Sequence, residues 1–168
     1  DQPLNHPITM ASTFVGGGER EYGRSGNPTW EAFEDVLGRL EGGRALAFSS
    51  GLAAVSTVLD LVGQGALVVA PDAAYQGSLA QIADLELRGR LVSRLVDIAD
   101  TDAVLAALDE DVALVWVESP TNPNLDVADL ERICARAHEV GAYVVVDNTF
   151  ATPLLQQPIA AGADIVVH

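Results

Sequence analysis

The stretch Ala142–Phe150, AYVVVDNTF, runs apolar residues straight into Asp147, Asn148 and Thr149. A run that is apolar at every position reads as a strand buried on both faces, the central-strand pattern of a parallel sheet. Asp147 then stands at the strand's carboxyl end. Ligands of open α/β sheets bind at that edge, so a carboxylate there is placed to pair with a cationic or protonatable group. A helix cap or turn is the plainer use of one isolated Asp, and the choice turns on how the other strands end. Ala66–Ala70 is followed by Pro71-Asp72-Ala73-Ala74-Tyr75, Ala113–Val117 by Glu118-Ser119-Pro120-Thr121-Asn122-Pro123, and Asp164–Val167 by His168. If these strands are parallel, all of those polar and aromatic groups gather at one edge of the sheet. A short strand candidate, Arg44–Phe48, breaks at Ser49-Ser50-Gly51 before the helical LAAVSTVLDLV. Free backbone N–H groups and hydroxyls at the positive end of a helix suit a phosphate, although Ser is also an ordinary N-cap. Two carboxylates, an amide, a phenol and an anion cradle together suit a flat, cationic or protonatable ligand that carries a phosphate.

The elements that must position these groups alternate along the chain. Strands are expected at Ala66–Ala70, Leu91–Leu95, Ala113–Val117, Tyr143–Val146 and Asp164–Val167, with helices at Gly77–Leu87, Thr101–Leu108, Val127–Val140 and Leu154–Ala161 between them. That alternation implies βαβ units and a mainly parallel sheet. Ahead of them, Asp1–Gly18 has no sustained period and reads as an arm. WEAFEDVLGRLE is a helix that Pro28 and Thr29 start and Gly42-Gly43 ends. No internal repeat is present and no linker divides the α/β part. The expected organisation is an N-terminal arm with its first helix over 1–45 and an α/β domain over 46–168.

Composition narrows the partners. A chain of 168 residues, 49% hydrophobic, is long enough for one well-buried core. The net charge of −15 leaves little to neutralise phosphate or attract anionic headgroups, so neither nucleic acid nor a membrane surface is expected as a partner. No apolar run approaches membrane-spanning length and no signal peptide opens the chain, so a cytoplasmic protein is expected. The single Cys134 falls in a helical apolar pattern with Leu130, Ile133 and Ala137 and reads as core; no metal site is expected. The glycine patterns of P-loops and dinucleotide folds are missing.

YGRSGNPT, SSGLAA, PDAAYQG, ESPTNP and VVVDNTFATP, in this order and spacing, resemble the Cys/Met-metabolism family of pyridoxal-phosphate (PLP) enzymes across essentially the whole chain. The resemblance implies the large α/β/α domain of PLP fold type I, aspartate-aminotransferase-like, with a mostly parallel sheet. It also implies site residues. Asp147 matches the acid that pairs with the pyridine nitrogen, and Thr149 supports it. Tyr75 matches the aromatic that stacks on the ring and takes part in proton transfer or leaving-group departure. Gly51 and Leu52, beside Ser50, match the segment whose backbone N–H groups hold the phosphate; the family often has Met at the position of Leu52. Asn122 matches the amide near the ring oxygen and the substrate carboxylate, while Glu118 and Ser119 shape that loop. Tyr22 and Arg24 match a Y-x-R pair that reaches the phosphate of a neighbouring subunit, which implies a homo-oligomer, a dimer of dimers, with shared active sites.

Two departures stand out. Gln76-Gly77-Ser78 follows Tyr75 where the family commonly reads Gly-Gly-Thr with an arginine soon after. More consequentially, all nine basic residues are arginine. The family forms a Schiff base with a lysine in an S-x-T-K segment just after the strand that here ends at His168, and the chain stops before that position. The expectation is a cofactor-binding part of a longer polypeptide. YGRSGNPTW and VVVDNTFATP look closest to bacterial members called cystathionine γ-lyase, which implies a trans-sulfuration enzyme carrying out α,γ-elimination on a sulfur amino acid. Cystathionine γ-synthase, methionine γ-lyase and O-acylhomoserine sulfhydrylase, the last acting on a homoserine ester, are the alternatives. Outside the enzymes stand a catalytically dead relative kept for assembly or regulation, and an α/β domain for another phosphate ligand.

Overall fold

The computed structural model describes residues 3–168. The chain divides into two compact units, Asp1–Ala47 and Phe48–His168.

The first unit is built on helix α1 (Pro28–Glu41). Asn27 caps it: its side chain accepts from Thr29 N at 2.9 Å, and its Nδ2 donates to Thr9 O at 3.1 Å, which ties the preceding arm to the helix start. Pro28 occupies the first turn, where its missing N–H costs nothing, and Gly42 at φ 81° ends the helix in the left-handed conformation. Arg20 forks onto the Glu31 carboxylate with Nε and Nη2, and Thr13 bridges Tyr22 antiparallel. The strand expected over Arg44–Phe48 does not form. Those residues have no ladder partner among the described residues; Leu46 is 73% exposed, and Ala47 N donates instead to the Glu34 side chain at 2.7 Å. An apolar run becomes a strand only where a neighbouring strand takes its N–H and C=O groups.

The second unit runs α2 (Gly51–Leu59), β1 (Ala66–Pro71), α3 (Gln76–Leu87), β2 (Leu91–Val96), α4 (Thr101–Ala107), β3 (Val112–Glu118), α5 (Leu130–Glu139), β4 (Tyr143–Asp147), α6 (Thr152–Leu155) and β5 (Ile165–Val167). Its strands are all parallel, in the order β2-β1-β3-β4-β5. The alternation in the sequence therefore produces the α/β architecture expected of it. Because the chain moves outward from β1 to β2 and then returns to place β3 on β1's other side, the order reverses between β1 and β3. Loops leaving the two strands there diverge and open a crevice.

Two apolar clusters sandwich the sheet. Val144 and Val146 join Ile133, Cys134 and Ala137 of α5 and Val104 of α4 on one face, whereas Trp116 and Val145 join Val55, Leu59 and Ile82 of α2 and α3 on the other. Successive strand residues point to opposite faces, so Glu118, two after Trp116, and Asp147, two after Val145, lie on the α2/α3 side. Cys134 is a free, buried core thiol, as its pattern predicted; burial pushes it up to about 11. Replacing fully buried Ile133 with Val removes one methylene from the same α5-side cluster. A loss of about 0.5–1.5 kcal/mol is expected, read as a lower denaturant midpoint with unchanged slope.

Helix ends differ modestly from the sequence pattern. α2 ends at Leu59 rather than Val62, and α5 starts at Leu130, where the Asp129 side chain accepts from Arg132 N, rather than at Val127. The helix expected over Leu154–Ala161 shrinks to Thr152–Leu155, because Pro158 biases the residue before it away from helical backbone and Gln156 is already extended.

Candidate active site

A cavity of ≈ 350 Å³ lies in the second unit, at the carboxyl ends of β3, β4 and β5 and the start of α2. Ser50, Gly51, Leu52, Tyr75, Asn122, Asp147 and Thr149 all line it, with Glu118 and His168. The fold thus gathers into one space the second-unit residues that the sequence singled out.

Each arrives by a local cause. Ser50 is the N-cap of α2, its side chain accepting from Ala53 N at 3.1 Å, so a hydroxyl that faces the cavity also serves as a structural cap. Gly51 follows as the first helical residue. A Cβ on it would stand 2.9 Å from the carbonyl oxygen of His168, so only glycine lets the helix start approach the end of β5 this closely. Asp147, last in β4 and 7% exposed, accepts on Oδ1 from Thr149 N at 3.0 Å and from Thr149 Oγ1. Both donors fall on one oxygen. Oδ2 takes no hydrogen bond within the described residues and remains available to a donor in the cavity. Tyr75, immediately before α3, is 45% exposed, which excludes the role of a core aromatic.

Glu118 ends β3 directly opposite Asp147 in the β3/β4 register and is 4% exposed. Its Oε2 accepts from Tyr75 N at 2.8 Å and its Oε1 from Asn122 N at 2.7 Å. Burial holds its carboxyl above the ordinary Glu range; the Asp147 charge pushes the same way, against the two backbone donors. Ser119 shapes the loop, its Oγ accepting from Ala128 N at 3.0 Å. Gln156, which the sequence pattern hid inside an expected helix, straps two loops together: Nε2 donates to Ser119 O at 2.8 Å and to Asn148 Oδ1 at 2.9 Å. Val55, Pro120 and Phe150 also line the cavity and had no signal beyond apolar character. Asp72 does not line it.

Tyr22 and Arg24 belong to the first unit, where the Arg24 guanidinium lies 5.0 Å from the centroid of the Tyr22 ring. Among the described residues no group of three or more His, Cys, Asp or Glu could hold a metal ion, and no helix is long and apolar enough to cross a membrane.

An all-parallel α/β sheet whose strand ends carry an acid and an aromatic beside the start of a helix is the architecture of a PLP fold type I domain, and the solved structures it superposes on agree. These include the crystal structure of metB from Corynebacterium glutamicum, with a TM-score of 0.91 at 36% identity over 98% of this chain and 45% of that one. The structure of cystathione gamma lyase (CalE6) from Micromonospora echinospora gives a TM-score of 0.87 at 45% identity, over 96% and 44%. In sequence, the chain is 43% identical to the cystathionine beta-lyase of Lactococcus lactis subsp. cremoris (strain MG1363) over 96% of its own length and 44% of the relative's. It is 46% identical to the cystathionine gamma-synthase of Mycobacterium tuberculosis (strain ATCC 25618 / H37Rv), over 98% and 45%. The family described as Cys/Met metabolism PLP-dependent enzyme matches residues 3–168, and the chain belongs to it. PLP is the family's cofactor. The chain spans less than half the length of the curated relatives it matches.

Proposed function

We propose that these residues form the non-covalent part of a PLP site in a trans-sulfuration enzyme that acts on a sulfur amino acid by cystathionine γ-lyase-like α,γ-elimination. The observation that carries the reading is the cavity itself, where the Gly51 cradle, Tyr75 and the unpartnered Oδ2 of Asp147 face one space. These groups fit the cofactor. The start of α2 offers backbone N–H groups and a positive dipole end to a phosphate, and Gly51 leaves room for close approach. Asp147 Oδ2 would accept from a protonated ring nitrogen, with Thr149 already fixing the carboxylate's other oxygen. Tyr75 presents a ring to stack on and a hydroxyl to move a proton. Asn122, which lines the same cavity, is proposed to orient the substrate with its amide. Bound there, PLP would supply the electron sink for a carbanion at the substrate's α-carbon. Tyr22 and Arg24 are proposed to reach the phosphate of a neighbouring subunit, so that the working form is a homo-oligomer. These 168 residues hold no lysine, so covalent attachment of the cofactor would need a lysine from outside them.

Gamma-elimination is chosen because the sequence motifs and the CalE6 structure both point to a γ-lyase; the relatives called beta-lyase add an activity that the motifs alone did not bring forward. The test is to titrate PLP into the full polypeptide carrying these residues, follow visible absorbance before and after borohydride, and then add cystathionine. The expected result is a band lost on reduction, with cysteine, 2-oxobutanoate and ammonia released. Homocysteine and pyruvate would replace the γ assignment with β-elimination. A protein that binds PLP but turns over neither cystathionine, methionine nor homoserine esters would be a catalytically dead relative. No binding at all would overturn the site.

A further inference from the structure

The carboxylate of Glu118 does something that loop shaping alone does not require. Tyr75 stands in the loop after β1 and Asn122 in the loop after β3, the two strands between which the sheet order reverses. Glu118 takes one backbone N–H from each, on separate oxygens, and so closes the crevice at its floor. Only a carboxylate can do this. A glutamine would offer one acceptor and turn its NH₂ against the other N–H. The cost is a charge buried opposite Asp147, a neighbour of the same sign.

The consequence falls on Tyr75. Its carbonyl accepts from Ser78 N at 3.0 Å and Leu79 N at 3.2 Å, starting α3, while its N–H is held by Glu118. With both sides of the residue tied, its Cα–Cβ direction is fixed. The ring then lies back over Gly77: a Cβ there would come 2.5 Å from Tyr75 Cε1, 2.9 Å from Cζ and 3.1 Å from the hydroxyl oxygen. Any side chain at 77 therefore displaces the ring. Gly77 is in ordinary helical backbone, so its lack of a side chain, and not its freedom, is what the site uses.

We propose that Glu118 and Gly77 are positioning residues that together set the Tyr75 ring, with Glu118 also fixing Asn122, in the geometry that receives the cofactor ring. This rests on the PLP reading of the cavity. Gly77→Ala is the cleaner variant, because alanine favours the helix and should not lower its stability. The measurement is PLP affinity of the full polypeptide, by quenching of tryptophan fluorescence, for the wild type, Gly77→Ala and Glu118→Gln, each with Tyr75 and with Tyr75→Ala. Gly77→Ala is expected to weaken PLP binding about three- to ten-fold when Tyr75 is present and not at all when it is absent. Glu118→Gln is expected to weaken it about ten-fold, with only the share due to Asn122 persisting in the Tyr75→Ala background. A general loss of structure would instead lower affinity equally in both backgrounds, and that result, or an unchanged affinity for Gly77→Ala, overturns the proposal. Should Glu118→Gln fail to fold, Glu118→Asp, whose carboxylate falls one methylene short of the two N–H donors, takes its place in the same comparison: a loss that shrinks in the Tyr75→Ala background supports the Glu118 role, and an equal or absent loss overturns it. Wild-type protein that does not take up PLP overturns the site reading and the proposal with it; wild-type binding with a silent Gly77→Ala overturns only the latter.

Discussion

Replacing Asp147 with Asn should leave the fold intact, reduce turnover by about two to three orders of magnitude and reduce PLP affinity by a smaller factor. The amide keeps an oxygen for Thr149 N and Thr149 Oγ1, so the local turn that now depends on Oδ1 survives. What disappears is the negative charge at Oδ2, the one oxygen of that carboxylate without a partner among the described residues. Removing one member of a buried charge pair costs roughly 3–5 kcal/mol, which is where the expected factor comes from. The loss should fall more heavily on turnover than on binding, because a phosphate held at α2 retains its own contacts, whereas a ring nitrogen that is no longer kept protonated is a poorer electron sink. The check is PLP affinity and kcat together, with thermal unfolding as the control for folding. Near wild-type turnover with bound PLP would remove Asp147 from the role assigned to it. The variant should also relieve the like charge beside Glu118, so a small gain in stability is consistent with the same assignment.

How far the sequence led to this site depends on which physical signal each residue sends. Asp147 was legible because a strand apolar at every position must end somewhere, and a polar residue at its carboxyl end lands at the ligand-binding edge of a parallel sheet. Tyr75, Asn122 and Ser50-Gly51 were legible for the same reason, each standing just after a strand or an expected strand. The family resemblance turned their convergence into a cofactor. Arg44–Phe48 failed as a strand because pattern reports a residue's own preference and says nothing of whether a partner edge is in reach. Gln156 was illegible for a different cause: its use is set by two loops, beginning at Ser119 after β3 and at Asn148 after β4, that only the folded sheet brings side by side. Glu118, expected to shape the loop after β3, is the last residue of that strand and reaches the loop through Asn122 N. That it holds Tyr75, 43 positions away, required the strand order to be known.

Gly51→Val should weaken the proposed phosphate site about a hundred-fold while leaving most of the unit folded, and the reasoning turns on which of two opposed effects is larger. Glycine is a poor helix residue, so filling position 51 would ordinarily stabilise α2; the gain is at most about 1 kcal/mol even in a helix interior, and Gly51 is only its first residue. Against this stands the 2.9 Å approach of a Cβ to the His168 carbonyl oxygen. That neighbour is backbone and cannot swing aside as a flexible side chain would. Relief must come from moving the start of α2 away from β5, and overpacking of this kind costs about 1–3 kcal/mol. The steric cost therefore wins, more clearly for Val than for Ala. The same movement carries the N–H groups at the head of α2 away from the cavity, so phosphate loses hydrogen bonds whose strength depends on distance and aim. PLP affinity is expected to fall about ten-fold for Gly51→Ala and about a hundred-fold for Gly51→Val, with pyridoxal, which lacks the phosphate, much less affected. Equal losses for PLP and pyridoxal would mean that Gly51 supports the cavity as a whole; unchanged PLP affinity in both variants would take the phosphate away from α2 altogether.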